Sequence, residues 1–304
     1  MNIILSNIIV VLFLFLLTTP SFALGKIGHR VLCQLSYDLL TDDKKNKVDQ
    51  LLKLLPSIEK KRIAQYNSLN NGQPISFSDS CTWADAIKSD KTYDKFKASH
   101  YLNVNRNAIE ISAKSCQTKC LTAAIVDHQQ QLLTSQNDQE KLLAMMFLGH
   151  WLGDIHQPLH VSFASDLGGN NVKIQPFIGK CTNLHWYWDQ CLLFSRNKDK
   201  GEALIDYYRL SYQELYKELS NNLTAELIFP IQPTNVLLWA NESLSIVRTA
   251  EFNYCQLNGQ HCQPLVNNKI TLSSQYHHQY REILKKRILQ GAARLSVILS
   301  LAFK

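Results

Sequence analysis

Apolar positions along this chain recur mainly at helical spacing. Val31, Leu32, Leu35 and Leu39 form one stripe, and Leu142, Leu143, Met146, Phe147 and Trp151 form a second. Leu204, Tyr207, Tyr208 and Tyr212 form a third. Thr234 stands where it can cap a helix running through Ser245 and beyond, and the pattern predicts a last helix over Tyr276–Ala302. Strict apolar/polar alternation is scarce. Asn, Ser, Gly and Pro gather in 67–80, 105–118, 164–182 and 256–270, which read as long connections. No internal repeat and no low-complexity tract interrupts this pattern. The expected fold class is therefore all-α: one helical domain, no sheet larger than a hairpin, and functional residues on helix ends and long connections.

The first 23 residues stand apart. They hold no Lys, Arg, Asp or Glu, and Ile8–Leu17 is almost wholly apolar. Thr18 to Ala23 follows, with small residues at the third-last and last positions before Leu24. This is the layout of a secretory signal peptide cut after Ala23, and the apolar run is short for a membrane span. The expectation is a signal peptide at 1–23, a functional domain at 24–304, and a secreted or periplasmic monomer with no stable membrane insertion. All eight cysteines lie after the cut. An even number in an exported chain favours disulfides. Cys116–Cys120 and Cys255–Cys262 are spaced to close short local loops. Metal binding is the rival use, but no CxxC pair is present. The net charge of +7 suits a polyanionic partner, although charge alone decides little.

The candidate chemistry lies in the histidines. His150 and Asp154 are four residues apart, so a helix puts them on one face, where an imidazole and a carboxylate can share a metal. Pro158 disfavours continuing that helix and frees His160 to point elsewhere. His185 and Asp189 repeat the i,i+4 pair. His156 falls off the His150/Asp154 face and reads as structural. His128, His261, His277 and His278 fit no ligand spacing and read as surface or structural. A lone His/Asp pair is more often an ion pair or hydrogen bond than a metal site; two such pairs with an extra His suit the nitrogen and oxygen ligands of zinc.

Further motifs join these in order: Gly25-Lys26-Ile27-Gly28-His29; Thr82 to Lys88; Ser99-His100-Tyr101-Leu102-Asn103; Gly149 to Val161; Asp166 to Asn170; and Asn183 to Asp189. Trp239 to Ser243 and Gly291 to Leu295 follow. Together they resemble the zinc-dependent type I nuclease family of fungal single-strand-specific and plant bifunctional nucleases, across nearly the whole chain after residue 23. The resemblance implies a helical bundle of the zinc-dependent phospholipase C/nuclease type with three zinc ions. Asp85, His100, His150 and Asp154 would hold the first. His160, His185 and Asp189 would hold the second. Leu24, through its freed amine and its carbonyl, would hold the third with His29 and Asp154, so that Asp154 bridges two ions. The family usually begins its mature chain with Trp rather than Leu. The resemblance also implies endonuclease activity on single-stranded DNA and RNA with 5′-phosphate products, and 3′-nucleotidase activity. Zinc suits this chemistry, since it lowers the pKa of bound water to about 7. Asp85 would also orient the attacking water, Lys88 would meet phosphate charge, and Tyr101 would stack on a base. Asn103 stands where the family often has Asp on the base edge.

Two other readings compete. A zinc-dependent phospholipase C shares the fold type, but its last metal pair resembles His-x-x-x-Glu after a shorter gap, against His185-x-x-x-Asp189 here. A non-catalytic zinc-binding protein would need saturated ligand shells. Asn222-Leu-Thr224 and Asn241-Glu-Ser243 are glycosylation sequons that matter only in a eukaryotic secretory pathway.

Overall fold

The computed structural model describes residues 24–116, 118–196, 208–223, 235–264 and 269–304. The signal-peptide reading of 1–23 lies outside them. The helices among the described residues are α1 (Gly25–Asp38), α2 (Asp42–Lys53), α3 (Ser57–Asn67), α4 (Phe77–Ser80), α5 (Trp83–Ala86), α6 (Leu121–Thr134), α7 (Asp138–His156), α8 (Leu184–Asp189), α9 (Tyr212–Ser220), α10 (Val236–Val247) and α11 (Ser274–Ala302). Short 3₁₀ segments, among them Lys91–His100 and Pro158–His160, fill several connections. The fold is mostly helical, as the apolar spacing predicts.

The central element is α7. Asn137 caps it, its side chain accepting from the backbone N–H of Gln139 and Glu140. Every residue from Ala144 to His156 is buried, and a helix apolar on all sides belongs inside the molecule. It packs against α6, α1 and α11. Trp83, Trp151, Trp188 and Trp239 are among the largest wholly buried side chains around it. The helix stops at His156 because the residue before Pro158 is driven into extended backbone: Gln157 has φ −90° and ψ 113°.

Strands occur only as two-stranded pairs among the described residues. One of them builds the site. Leu102–Val104 (β1) pairs in parallel with Val161–Phe163 (β2), with Leu102 opposite Val161 and Asn103 opposite Ser162. This register lays the His100-Tyr101 segment alongside His160. Lys173–Gln175 (β3) pairs in parallel with Lys269–Thr271 (β8). Ser195–Arg196 (β4) meets Tyr208–Arg209 (β5), and Gln256–Asn258 (β6) folds back on His261–Gln263 (β7). Parts of the expected loops 164–182 and 256–270 are therefore short strands, too brief to register as an alternating pattern.

Two helix expectations change. Of the third apolar stripe, Leu204 and Tyr207 lie outside the described residues. Tyr208 belongs to β5, and α9 starts at Tyr212 because the Ser211 hydroxyl accepts from Glu214 N–H and fixes the start there. Thr234 also lies outside; the cap of α10 is Asn235, whose side chain accepts from Leu238 N–H.

All eight cysteines are paired: Cys33–Cys81, Cys116–Cys120, Cys181–Cys191 and Cys255–Cys262. Cys33–Cys81 ties α1 to the end of α4 across 48 residues, a loop whose closure is worth about 4 kcal/mol by chain entropy. No helix among the described residues is long and apolar enough to cross a membrane.

Candidate metal centre and base pocket

The site forms where the C-terminal half of α7, the N-terminal half of α1, α5 and α8 converge. From these elements, and from the ends of the 3₁₀ segments Lys91–His100 and Pro158–His160, come three groups of side chains whose ligand atoms lie within 4.8 Å of one another: Asp85, His100 and His150; His29, His150 and Asp154; and His160, His185 and Asp189. Each of these residues is buried. The second stripe of the sequence turns His150 and Asp154 inward from α7, one helical turn apart. Gly153 makes room for α1: a β-carbon there would come within 2.3 Å of His29 Nδ1.

Asp154 lies at the centre. Its Oδ1 is 3.3 Å from His29 Nε2, while its Oδ2 is 3.0 Å from His100 Nδ1 and 3.4 Å from His150 Nε2. Each carboxylate oxygen thus faces a different group. Asp85 Oδ1 lies 3.6 Å from His150 Nε2 and 3.9 Å from His100 Nδ1. In the last group Asp189 Oδ1 is 3.5 Å from His160 Nε2, and Oδ2 is 3.4 Å from His185 Nε2. A tetrahedral ion with ligands at ~2.0–2.1 Å holds its donors roughly 3.3 Å apart. The spacings observed scatter around that value.

Other groups aim these ligands. His150 Nδ1–H donates to the Cys81 carbonyl (2.8 Å), His160 Nδ1–H to the His100 carbonyl (2.6 Å), and His185 Nδ1–H to the Gly168 carbonyl (2.7 Å). A proton fixed on Nδ1 leaves the Nε2 lone pair pointing into the cluster, as in metal-bound histidines. His160 Nε2, His185 Nε2, Asp154 Oδ1, Asp189 Oδ2 and both His29 nitrogens are buried with no hydrogen-bond partner. Such atoms cost about 1–3 kcal/mol each if nothing satisfies them. This donor set, nitrogen and carboxylate oxygen without sulfur, fits zinc.

Burial sets the ionisation. It pushes His150, His160 and His185 down to about 4, and His29 and His100 well below the usual imidazole value. The imidazoles are therefore neutral at neutral pH, the form that binds metal. Burial lifts Asp189 to about 7 and, reinforced by the Asp85 charge, lifts Asp154 well above the usual carboxylate range. Burial pushes Asp85 upward, but the Lys88 charge and the hydrogen bonds from Lys88 and Tyr66 hold that carboxyl low.

The remaining expected residues surround this cluster. Lys88 Nζ lies 2.6 Å from Asp85 Oδ1, so its charge already faces a carboxylate of the site. Tyr101 is not a core aromatic: it is 44% exposed, next to His100. Asn103 is half-buried and its Oδ1 has no hydrogen-bond partner. Both line a cavity of about 510 Å³. Leu24 is fully buried at the start of α1. Gly25 after it has φ +61°, and a β-carbon there would come within 2.7 Å of the Asp189 carbonyl, so the start of α1 sits against α8. His156 Nδ1–H donates to Leu152 O (2.7 Å), and Arg294 reaches its Nε2 (2.6 Å), in keeping with a structural role. His128 and His277 are buried as well, whereas His261 and His278 are exposed.

Two contributors are not readable from spacing. Tyr66 O–H donates to Asp85 Oδ2 (3.2 Å) from 19 residues upstream, with no local motif to mark it. Gln157 Nε2–H donates to Asp189 Oδ1 (2.6 Å) while its Oε1 accepts from Leu159 N–H (2.6 Å). Its place inside the His150–His160 run was the available signal.

Comparison with known proteins agrees with this geometry. The profile of the S1/P1 nuclease family matches residues 24–304. Endonuclease 4 of Arabidopsis thaliana is 27% identical over 92% of this chain and 89% of its own length. Nuclease S1 of Aspergillus oryzae is 25% identical over 77% and 82%. Nuclease P1 of Penicillium citrinum is 28% identical over 55% and 66%. With a profile match over residues 24–304, three buried His/Asp groups in place and four disulfides formed, the chain belongs to the S1/P1 nuclease family.

Proposed function

We propose that this nuclease is an exported, zinc-dependent enzyme that cuts single-stranded DNA and RNA to 5′-phosphate products and removes phosphate from 3′-nucleotides. The observation that carries the reading is Asp154 offering one oxygen to each of two ligand groups, beside an exposed aromatic ring on a cavity. Asp85, His100, His150 and Asp154 would hold one zinc, and His160, His185 and Asp189 another. His29 and Asp154 would hold a third together with the amine and carbonyl of Leu24, once 1–23 have been removed. Zinc, when bound, supplies an acidified water and positive charge for phosphate oxygens.

The chain's own residues do the rest. Asp85 accepts a hydrogen bond from the attacking water, with the Tyr66 O–H holding its other oxygen in place. Lys88, one turn from Asp85, brings a positive charge to the phosphate. Tyr101 stacks on a base regardless of its identity, and the unpartnered Asn103 amide oxygen accepts from the base edge. Proximity of base pocket and ligand cluster holds the scissile bond in place.

The test is hydrolysis by one zinc-loaded sample of single-stranded DNA, RNA, a 3′-nucleotide and phosphatidylcholine. The reading expects the first three to be cleaved, with 5′-phosphate ends on the polymer products. Cleavage of the lipid alone would make the protein a phospholipase, and inertness towards all four would leave a zinc-binding protein.

A further inference from the structure

The connection between β1 and α6 carries two exposed lysines that the reading above does not use, beside the buried Arg106 that pairs with Asp166. Among the described residues, Lys114 and Lys119 are the charged ones that line the cavity of Tyr101 and Asn103. Both are exposed, and neither makes an ion pair among the described residues. The wall that bears them is held in place at several points. Leu121 N–H donates to the Tyr101 carbonyl (3.0 Å), just beyond Lys119. The Cys116–Cys120 disulfide closes the turn that carries Lys119 and begins two residues after Lys114. Asn241 on α10 clamps Ile111, accepting from its N–H (2.7 Å) and donating to its carbonyl (2.8 Å). At about 510 Å³ the cavity falls within the ~300–1,000 Å³ of small-ligand sites.

We propose that Lys114 and Lys119 form a phosphate subsite for the 5′-phosphate of the nucleotide whose base lies on Tyr101. The inference deepens the proposed nuclease reading and rests on it. In that reaction the water oxygen bonds to phosphorus, the P–O3′ bond breaks, and the 3′ oxygen leaves with a proton. The nucleotide that departs as the 3′-hydroxyl product therefore has its 3′ side at the ligand cluster. Tyr101 adjoins His100, so the base lying there belongs to that nucleotide, and its 5′ oxygen points away from the ligand cluster, into the cavity that Lys114 and Lys119 line. A strand, or a nucleotide phosphorylated at both ends, reaches them; a 3′-monophosphate does not.

The experiment compares adenosine 3′-monophosphate with adenosine 3′,5′-bisphosphate, following release of the 3′-phosphate. Wild type should favour the bisphosphate in kcat/KM by about three- to tenfold at low salt, the scale of two exposed charge contacts. The double variant K114A/K119A should lose that preference and keep wild-type kcat/KM on the monophosphate. K114R/K119R should retain it. On a single-stranded oligonucleotide, the log–log dependence of kcat/KM on salt should become shallower by about 1.4 in the alanine variant, for two phosphate contacts. If the alanine variant keeps both the preference and the salt slope, the subsite is refuted. Equal losses on both adenosine substrates would refute it too, since the effect would then be on the site as a whole. A wild-type protein inert on both substrates would overturn the nuclease reading itself, whereas one active on both without preference would overturn only the subsite.

Discussion

Two faces of α7 carry histidines that burial treats alike. His150 and His156 are both inaccessible, and burial depresses both imidazoles. Their partners set them apart. His156 is satisfied on both nitrogens, by Leu152 O and by Arg294, and Arg294 in turn forms a two-pronged pair with Glu242. Arg287 adds a bond to the His156 carbonyl, so this face locks α7 to α10 and α11. On the other face His150 donates to the Cys81 carbonyl and faces Asp154 Oδ2, while Asp154 Oδ1 and both nitrogens of the His29 ring, stacked on His150, are buried without hydrogen bonds. A folded protein rarely leaves such a cluster unsatisfied unless a ligand completes it. Burial marks neither histidine as functional; the unfilled bonding capacity around one of them does.

The sharpest way to break the comparison is Asp154→Ala. It removes the carboxylate that faces two ligand groups. The expected result is loss of two metal ions per chain, read by elemental analysis, and a fall in turnover of roughly 10⁴-fold, the scale at which one member of a catalytic unit is missed. Loss of a single ion would refute the shared-ligand arrangement. Next in size is the N-terminus. A protein beginning at Leu24 offers a free amine, whereas one with an added Met offers an amide nitrogen that cannot bind metal. The Met-extended protein should hold one ion fewer and turn over about 10²-fold more slowly. Equal metal content and turnover in the two would remove Leu24 from the ligand set.

Smaller effects sharpen the contrast between ligand and support. Gln157→Leu leaves Asp189 in place but deletes the amide that holds its Oδ1. Losing such a partner typically costs 10- to 100-fold in metal affinity, which competition with a zinc-binding dye would measure. Unchanged affinity would make Gln157 a cap for the Pro158 turn and nothing more. On the other face, Arg294→Met should lower stability to urea by about 1–3 kcal/mol, because Glu242 keeps Arg287 while His156 loses a partner. Metal content of the folded variant should not change; if it did, the two faces would not be independent.

How far the sequence can be read follows from what each feature depends on. The α1 and α7 stripes and both His/Asp pairs are local, set by helix geometry over one turn, and they are visible in the order of residues. So is the break at Pro158 that ends α7. Bringing His100 beside His160 depends on a parallel three-residue pairing between segments 59 residues apart, for which no alternation signals. Tyr66, the carbonyl acceptors of Cys81, His100 and Gly168, and the Arg294–Glu242 lock are equally non-local. The long-range placement of the ligands was legible only through resemblance to a family, not through spacing.

The smallest expected effect concerns protons, and it tests whether burial has done to the carboxylates what it did to the imidazoles. With His150, His160 and His185 depressed to about 4, these groups are already neutral at pH 6 and have no proton to give up when zinc binds. Asp189, lifted to about 7, is largely protonated at pH 6 and ionised at pH 8. Zinc needs the carboxylate. Once the proton that zinc-bound water sheds between pH 6 and pH 8 has been subtracted by titrating the loaded protein, uptake by the metal-free protein should therefore release about one proton more at pH 6 than at pH 8, and zinc affinity at that group should rise as pH increases through 7. Ordinary imidazoles, with a reference value of about 6.5, would instead add their own release at pH 6, giving a difference well above one proton. The measurement is calorimetry in buffers of different ionisation enthalpy. It uses the Met-extended protein, whose Leu24 nitrogen carries no titrating proton, so that the amine does not contribute. A difference of several protons would mean that the histidines titrate as exposed groups and that the cluster is wetter than its packing indicates. No difference at all would mean that Asp189 is ionised throughout, and that the Gln157 hydrogen bond outweighs its burial.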